Sequence, residues 1–355
     1  MSFLYAIKSK SASWVFLLTL FICSLFAPSA GALASQAEEE LTAKLVEGAK
    51  KEGQLLLYHS MNVQEGDKLL KRFQEKYPFI KTEMVRSDSQ AGLNKILAED
   101  RAKKHLCDVM SFPAMSIEVL KRKNLLAKYL SPNGKSYPEE FKDPDGYWIS
   151  NYFQLHVMAY NTRLIAPKEV PRSYEDFLGP KWKGKIGMDA NAFYWFAGVL
   201  KIMGEEKGLQ YMKKLSDQNI RFDGRILVVQ LVAAGETSIT MPVYNHRIEQ
   251  MKSDGAPLEW SALEPLIAEV NAPSISAHAP HPHTARLFID FLLSKEGQEI
   301  IASFYRLPTR SDVEARIPRA KAKGMKILPF DPAITDNYEK YVKLYREVLM
   351  KKQPR

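Results

Sequence analysis

The residues of this chain that could do chemistry cluster in short loops that follow apolar runs. His59, Ser60 and Asn62 come after Leu55-Leu56-Leu57-Tyr58. Ser87 and Ser89 come after the alternating stretch Ile80 to Val85, and Pro113 lies in the Phe112 to Met115 loop after Asp108-Val109-Met110-Ser111. Hydroxyls, a carboxamide and loop amides are hydrogen-bond donors, so this set suits capture of a negative group. Two arginines extend it. Asp223-Gly224-Arg225 leads into the helical run Leu227 to Ala234, where a helix N-terminus and a guanidinium together suit a carboxylate or phosphonate. Arg247 closes Pro242-Val243-Tyr244-Asn245-His246-Arg247 and offers the same chemistry. Asn191, Tyr194 and Tyr244 complete the candidate ligand contacts. Each member also has an ordinary structural use: a cap or turn for the serines, a surface ion pair for the arginines, a core aromatic for the tyrosines. The set is stronger than any member, because all fall on loops of one class.

Other chemistries are poorly supported. His278-x2-His281-x-His283 has the look of a metal cluster, but Pro280 and Pro282 separate its members ahead of a long helical stretch, which reads as a turn and helix start. Gly179-x4-Gly184-Lys185 nearly matches a phosphate-binding loop. Ile186 stands where Ser or Thr belongs, no apolar strand leads in, and Pro180 and Trp182 stiffen the segment. There is no G-x-S-x-G and no H-E-x-x-H. No enzymatic activity is therefore expected, and an exported hydrolase is kept as the competitor from another class.

The elements that must position these residues alternate. Helical periodicity over Leu41 to Lys51, through Leu69, Leu70 and Phe73, and at Leu93, Ile96 and Leu97 separates the three apolar strands named above. A β-α-β-α-β succession predicts an α/β domain with a parallel sheet, and ligands bind beyond the carboxyl ends of such strands. His156 to Tyr160 reads as a further strand. A second half follows, with strands Ile186 to Met188 and Ser238 to Met241 and helices over Phe193 to Met203, Gly208 to Leu215 and Leu227 to Ala234. Glu264 to Ala279 reads as a return run with turn residues, and His283 to Phe304 as one amphipathic helix. Two α/β lobes joined by more than one crossing enclose a cleft.

Several motifs occur in order along the chain: Pro144-Asp145-Gly146-Tyr147-Trp148, Ala159-Tyr160-Asn161-Thr162, Pro180-Lys181-Trp182-Lys183-Gly184-Lys185-Ile186, Ala233-Ala234-Gly235-Glu236, Gly255-Ala256-Pro257, Ala279-Pro280-His281-Pro282. They end in Phe288-Ile289-Asp290-Phe291-Leu292-Leu293-Ser294-Lys295-Glu296-Gly297-Gln298. The ordered set resembles the extracellular solute-binding proteins of bacterial ABC importers, in the group that includes ferric-iron, thiamine and aminoalkylphosphonate binders. The resemblance implies a type II periplasmic-binding fold that closes over a small-molecule or ion ligand and is read by an inner-membrane ABC permease with its ATPase. It divides the chain into lobe 1 over 35–158, lobe 2 over 159–267, a return to lobe 1 over 268–310, and a C-terminal segment and helix over 311–355. Iron binders of this group are similar in using two adjacent tyrosines with a His and a carboxylate. Here only Tyr244 remains of that pair, beside the cationic Arg247, and Asn62 occupies the first-lobe histidine position, with His59 near. Fe(III) is hard and wants anionic oxygens. A small organic anion, carboxylate or phosphonate, is thus the expected ligand. Ferric ion or an iron chelate, held by Tyr244, Tyr194 and His59 with His246 available, is the alternative.

The first 34 residues set the address. Lys8 and Lys10 precede an apolar run from Trp14 to Phe26, and Ala32-Leu33-Ala34 supplies a small-x-small cleavage pattern. The run is shorter than the roughly 20 residues of a bilayer-spanning helix. Ile22 before Cys23 argues against a lipoprotein. A signal peptide over 1–34 and a periplasmic, monomeric protein are the expectation. The net charge of +9 is spread among 41 acidic residues, without a basic tract, so nucleic-acid binding is not expected. Cys107, the one cysteine beyond the leader, reads as a buried inert thiol.

Overall fold

The computed structural model describes residues 30–264, 266–317, 327–328, 331 and 333–351. The expected signal peptide lies almost wholly outside these residues. Lobe 1 begins with α1 (Ala30–Glu52), β1 (Gln54–His59), α2 (Val63–Lys76), β2 (Lys81–Arg86), α3 (Ser89–Arg101), β3 (Val109–Pro113), α4 (Ala114–Arg122) and β4 (Leu126–Ala127). After β5 (Tyr152–Asn161) come β6 (Ile186–Asp189), α5 (Phe193–Met203), α6 (Glu205–Ser216), β7 (Arg221–Asp223), α7 (Arg225–Ala234), β8 (Ile239–Tyr244), α8 (Asn245–Ser253) and β9 (Leu258–Ser261). The chain then runs through β10 (Leu266–Ser276), α9 (Pro282–Leu293), α10 (Lys295–Ser303), β11 (Leu307–Pro308), β12 (Ile327–Leu328), α11 (Ala333–Asp336) and α12 (Tyr338–Leu349).

The strands run in the order β2-β1-β3-β10-β5-β8-β6-β7. β1 pairs in parallel with β2 and β3, and β6 in parallel with β7 and β8. Between these parallel halves lie two long antiparallel strands. β10 pairs with β3 from Asn271 to Ile275 and with β5 from Ala268 to Asn271, while β5 continues onto β8 and β9. β5 and β10 therefore run through both lobes. Each lobe has its own core: Leu57, Phe73, Phe288 and Phe112 in the first, Phe177, Phe196, Met212 and Tyr345 in the second.

The sequence reading did not include α4, α8, β7 or β9, and two further readings change. The return run contains β10, buried along its whole length. A strand buried on both faces shows no alternation, and Pro273 inside it argues against a central strand because it cannot donate to the ladder. The expected single helix from His283 to Phe304 is two, α9 and α10. Ser294 leaves helical geometry and caps α10, accepting from the Gly297 amide at 3.2 Å. α12 packs on α5 and α6, which places the C-terminal helix on lobe 2. Cys107 is 3% exposed, and burial pushes its thiol up to about 12, so it is inert. No described helix is long and apolar enough to cross a membrane.

Candidate functional site

A cavity of about 560 Å³ lies between the lobes. Helix N-termini surround it. In lobe 1, Asn62, Asp88 and Pro113 are the N-caps of α2, α3 and α4. In lobe 2, Ala192, Gly224 and Tyr244 are those of α5, α7 and α8. None of these six caps accepts a hydrogen bond through its side chain. Cap or first-turn residues of all six helices line the cavity. The fold makes this arrangement, because each helix follows the carboxyl end of a parallel-paired strand within a few residues, α4 and α8 directly. The first amides of a helix have no intrahelical acceptor and carry the positive end of its dipole. Three such ends from each lobe favour negative charge in the cavity.

Side chains refine that field. Arg225 donates from Nε to Asp189 Oδ2 at 2.5 Å and from its guanidinium to the Tyr244 hydroxyl, over whose ring it stacks at 4.2 Å. The Tyr244 hydroxyl donates in turn to Glu269 Oε2, which also faces Gln154 Nε2 at 3.4 Å and His156 Nε2 at 3.5 Å. Burial works to raise the Glu269 carboxyl, but His156, Arg225 and Tyr244 outweigh it and hold Glu269 below the ordinary carboxylate range. Burial pushes Tyr244 well above the usual phenol range, which keeps it a hydroxyl donor despite Arg225.

A second network lies beside the first. Arg306, buried, donates from Nε and a terminal nitrogen to Glu65 Oε2 at 3.0 and 2.8 Å, and to Gln154 Oε1 at 3.1 Å. Glu65 Oε1 accepts from Gln250 at 2.8 Å, and Gln250 Oε1 accepts from Arg247 at 3.3 Å. Gln154 on β5 joins the two networks. Arg86 pairs with Asp88 at 3.0 Å. Among the described residues, Arg247 is then the cavity guanidinium without a carboxylate partner. Its acceptor is the neutral Gln250, and its Nε is buried with no hydrogen bond.

Of the residues singled out from sequence, the structure brings Ser60, Asn62, Ser89, Pro113, Asn191, Tyr194, Arg225, Tyr244 and Arg247 to this cavity. It does not bring His59 or Ser87. His59 is fully buried behind the lobe 1 wall, with Nε2 3.2 Å from Met84 Sδ. Burial, then Arg86 and Arg306, push its imidazole down to about 4, so it is neutral. Ser87 faces Gly92 on α3 instead of the cleft. Arg225, read as a clamp for an anion, lines the cavity and is also engaged with Asp189 and Tyr244.

Sequence reasoning missed Arg86, Gln154, Asp189, Glu269, Arg306 and Tyr338, which also line the cavity. Arg86 and Asp189 end strands, so the strand-end rule could have found them. Glu269 and Arg306 carry no such signal.

The histidine cluster is structural. His281 donates its backbone amide to Asp108 at 2.8 Å, and Glu52 accepts from the amides of His283 and Thr284 at the start of α9. Among the described residues no group of three or more His, Cys, Asp or Glu side chains is placed to hold a metal ion. A groove of about 520 Å³ between α1 and His283 is shallow and lined mostly by exposed side chains, unlike the interlobe cavity.

Two lobes, two through-going strands and an interlobe cavity define a periplasmic-binding fold. The chain belongs to the bacterial extracellular solute-binding protein family, whose model matches residues 104–331. An uncharacterized protein of Haemophilus influenzae is 28% identical over 269 residues, which span 71% of this chain and 76% of that one. The Fe(3+)-binding periplasmic protein of Serratia marcescens is 22% identical, over 54% of this chain and 57% of its own length. Among solved structures, the periplasmic binding protein AfuA from Actinobacillus pleuropneumoniae, with exogenous fructose-6-phosphate bound, superposes with a TM-score of 0.75. It is 27% identical, covering 84% of this chain and 99% of AfuA. Iron-bound HitA from Pseudomonas aeruginosa has a TM-score of 0.75 at 22% identity, over 83% of this chain and 99% of its own, a likeness of fold.

Proposed function

We propose that this chain captures a small organic anion, a carboxylate, phosphonate or phosphate ester, in the interlobe cavity and presents it to an inner-membrane ABC permease with its ATPase. It would do so as a periplasmic monomer released by cleavage after Ala34. The observation that carries this reading is the convergence of six helix N-termini, three from each lobe, on one cavity that also holds Arg247 without a carboxylate partner among the described residues. The phosphate ester bound to AfuA belongs to the same anion class. A ligand touching both walls stabilises the closed lobes, because it meets both walls only there.

Relatives that bind iron support a ferric reading in the same fold. Tyr244, Glu269 and His156 are neighbours, as such a reading needs. Against it, the Tyr244 proton is committed to Glu269, and the Arg225 guanidinium donates to the same hydroxyl oxygen that a trivalent cation would need. A thermal-shift panel separates the two. A ligand that binds only the folded state raises the melting temperature, so sugar phosphates, alkylphosphonates and small carboxylates should include at least one stabiliser. A shift with ferric salts alone, together with a visible phenolate–iron band, would overturn the organic-anion reading. Turnover of a model ester would restore the hydrolase.

A further inference from the structure

The C-terminal segment touches both lobes. α12 is fixed to lobe 2. Tyr345, fully buried, meets Phe193, Phe196 and Phe222 edge-on at ring-centroid distances of 5.3, 5.6 and 6.3 Å, and its hydroxyl donates to the Asp189 backbone oxygen. Lys340 pairs with Glu205 of α6 at 2.7 Å. The leading end of the segment reaches lobe 1 instead. Asp336 pairs with Arg122 of α4, the Tyr338 hydroxyl donates to Gln90 Oε1 on α3, and α11 packs against α4. Ile334 and Tyr338 share one apolar cluster with Met115 of lobe 1. Gln90, Met115 and Tyr338 all line the interlobe cavity.

We propose that residues 333–338 are a clasp that holds the lobes closed and supplies Tyr338 as a ligand-facing wall belonging to neither lobe's own sheet. Rotation of the lobes about β5 and β10 separates Asp336 from Arg122 and Tyr338 from Gln90, since the segment is joined to α12 on lobe 2 while Arg122 and Gln90 belong to lobe 1. Because Tyr338 also faces the cavity, a ligand resting on it braces the clasp, and an intact clasp slows ligand escape. The segment lies beyond residues 104–331, which the family model matches.

The clasp rests on the two-lobed binding-protein reading, but its test needs no ligand. Spin labels at Lys71→Cys on α2 and Lys207→Cys on α6, both exposed, report the interlobe distance in a Cys23→Ser background, Cys107 being buried. In the ligand-free protein, Asp336→Asn with Tyr338→Phe should add a longer-distance population. The open fraction should rise on the order of threefold for each of the two interactions removed. Asp336→Arg alone, which sets two like charges together at Arg122, should likewise open the lobes, and adding Arg122→Asp should return the distribution towards the parent; this pair decides if the first variant folds poorly, and a single variant Asp336→Arg with parent distances would overturn the clasp. An unchanged distribution in a double variant that melts like the parent would overturn the clasp. Failure of every anion to bind, with the distances still responding, would overturn the ligand reading alone.

Discussion

Arg225 and Arg247 are the same residue type on the same wall, yet their partners give them different work. Arg225 neutralises buried Asp189 and stacks on Tyr244, so it belongs to the wall's own charge balance. Arg247 is held by a neutral amide, and on the proposed reading its charge is the one left for a ligand. Sequence placed Arg225 ahead of a helix and Arg247 after Tyr244 but did not give their partners, because Asp189 and Tyr244 meet Arg225 only through the fold. The histidines give a pH prediction. Burial holds His59, then His246, neutral in the folded chain, His59 at about 4 against its usual 6.5. The unfolded chain takes up these protons more readily, so their contribution is complete above pH 6.5 and is lost as pH falls towards 4. For His59 alone the loss is on the order of 3 kcal/mol. Glu269, held below the ordinary carboxylate range, acts in the same direction but only in more acid solution. Calorimetric melts should therefore fall in temperature between pH 6.5 and 4, and His59→Gln should flatten that fall. A parent protein whose melting temperature is constant over this window contradicts the assignment.

At the scale of elements, the site depends on where helices begin; the strand ends that precede three of them were legible in the sequence, whereas α4 and α8 were not read as helices. The strand-end loops after Tyr58, Val85 and Ser111 carried Ser60, Asn62, Ser89 and Pro113 to the cavity, as the parallel-sheet rule expects. What was illegible lay in β10, whose buried faces show no alternation, and so Glu269 was missed. Seating of the helices is equally strict. α3 lies on β3 with Gly92 against the fully buried Phe112, where an added Cβ would come within 2.4 Å of the ring and 2.8 Å of Ser87 Oγ. Gly92→Ala should destabilise the protein by about 1–3 kcal/mol in chemical denaturation. It should also weaken ligand binding, since Ser89 and Gln90 ride on the same turn. Unaltered stability would show that α3 is not seated as described.

At the scale of the whole molecule, two lobes joined by two through-going strands enclose the cavity between them. Lobe organisation was readable because alternating helices and strands appear twice along the chain. The C-terminal helix was not assignable to a lobe from sequence, since its amphipathic face fits any apolar surface and only Tyr345 among Phe193, Phe196 and Phe222 decides it. The anionic ligand we propose rests on the six helix N-termini and Arg247 together, a property no single segment carries. The most direct test is calorimetric titration of the purified protein with a sugar phosphate, an alkylphosphonate and a small dicarboxylate, repeated on Arg247→Ala. The expected result is saturable one-site binding of at least one anion, weakened about 10- to 100-fold by the substitution, the range for removing a charge-assisted hydrogen bond. Binding of ferric ion alone, or anion binding indifferent to Arg247→Ala, would contradict it.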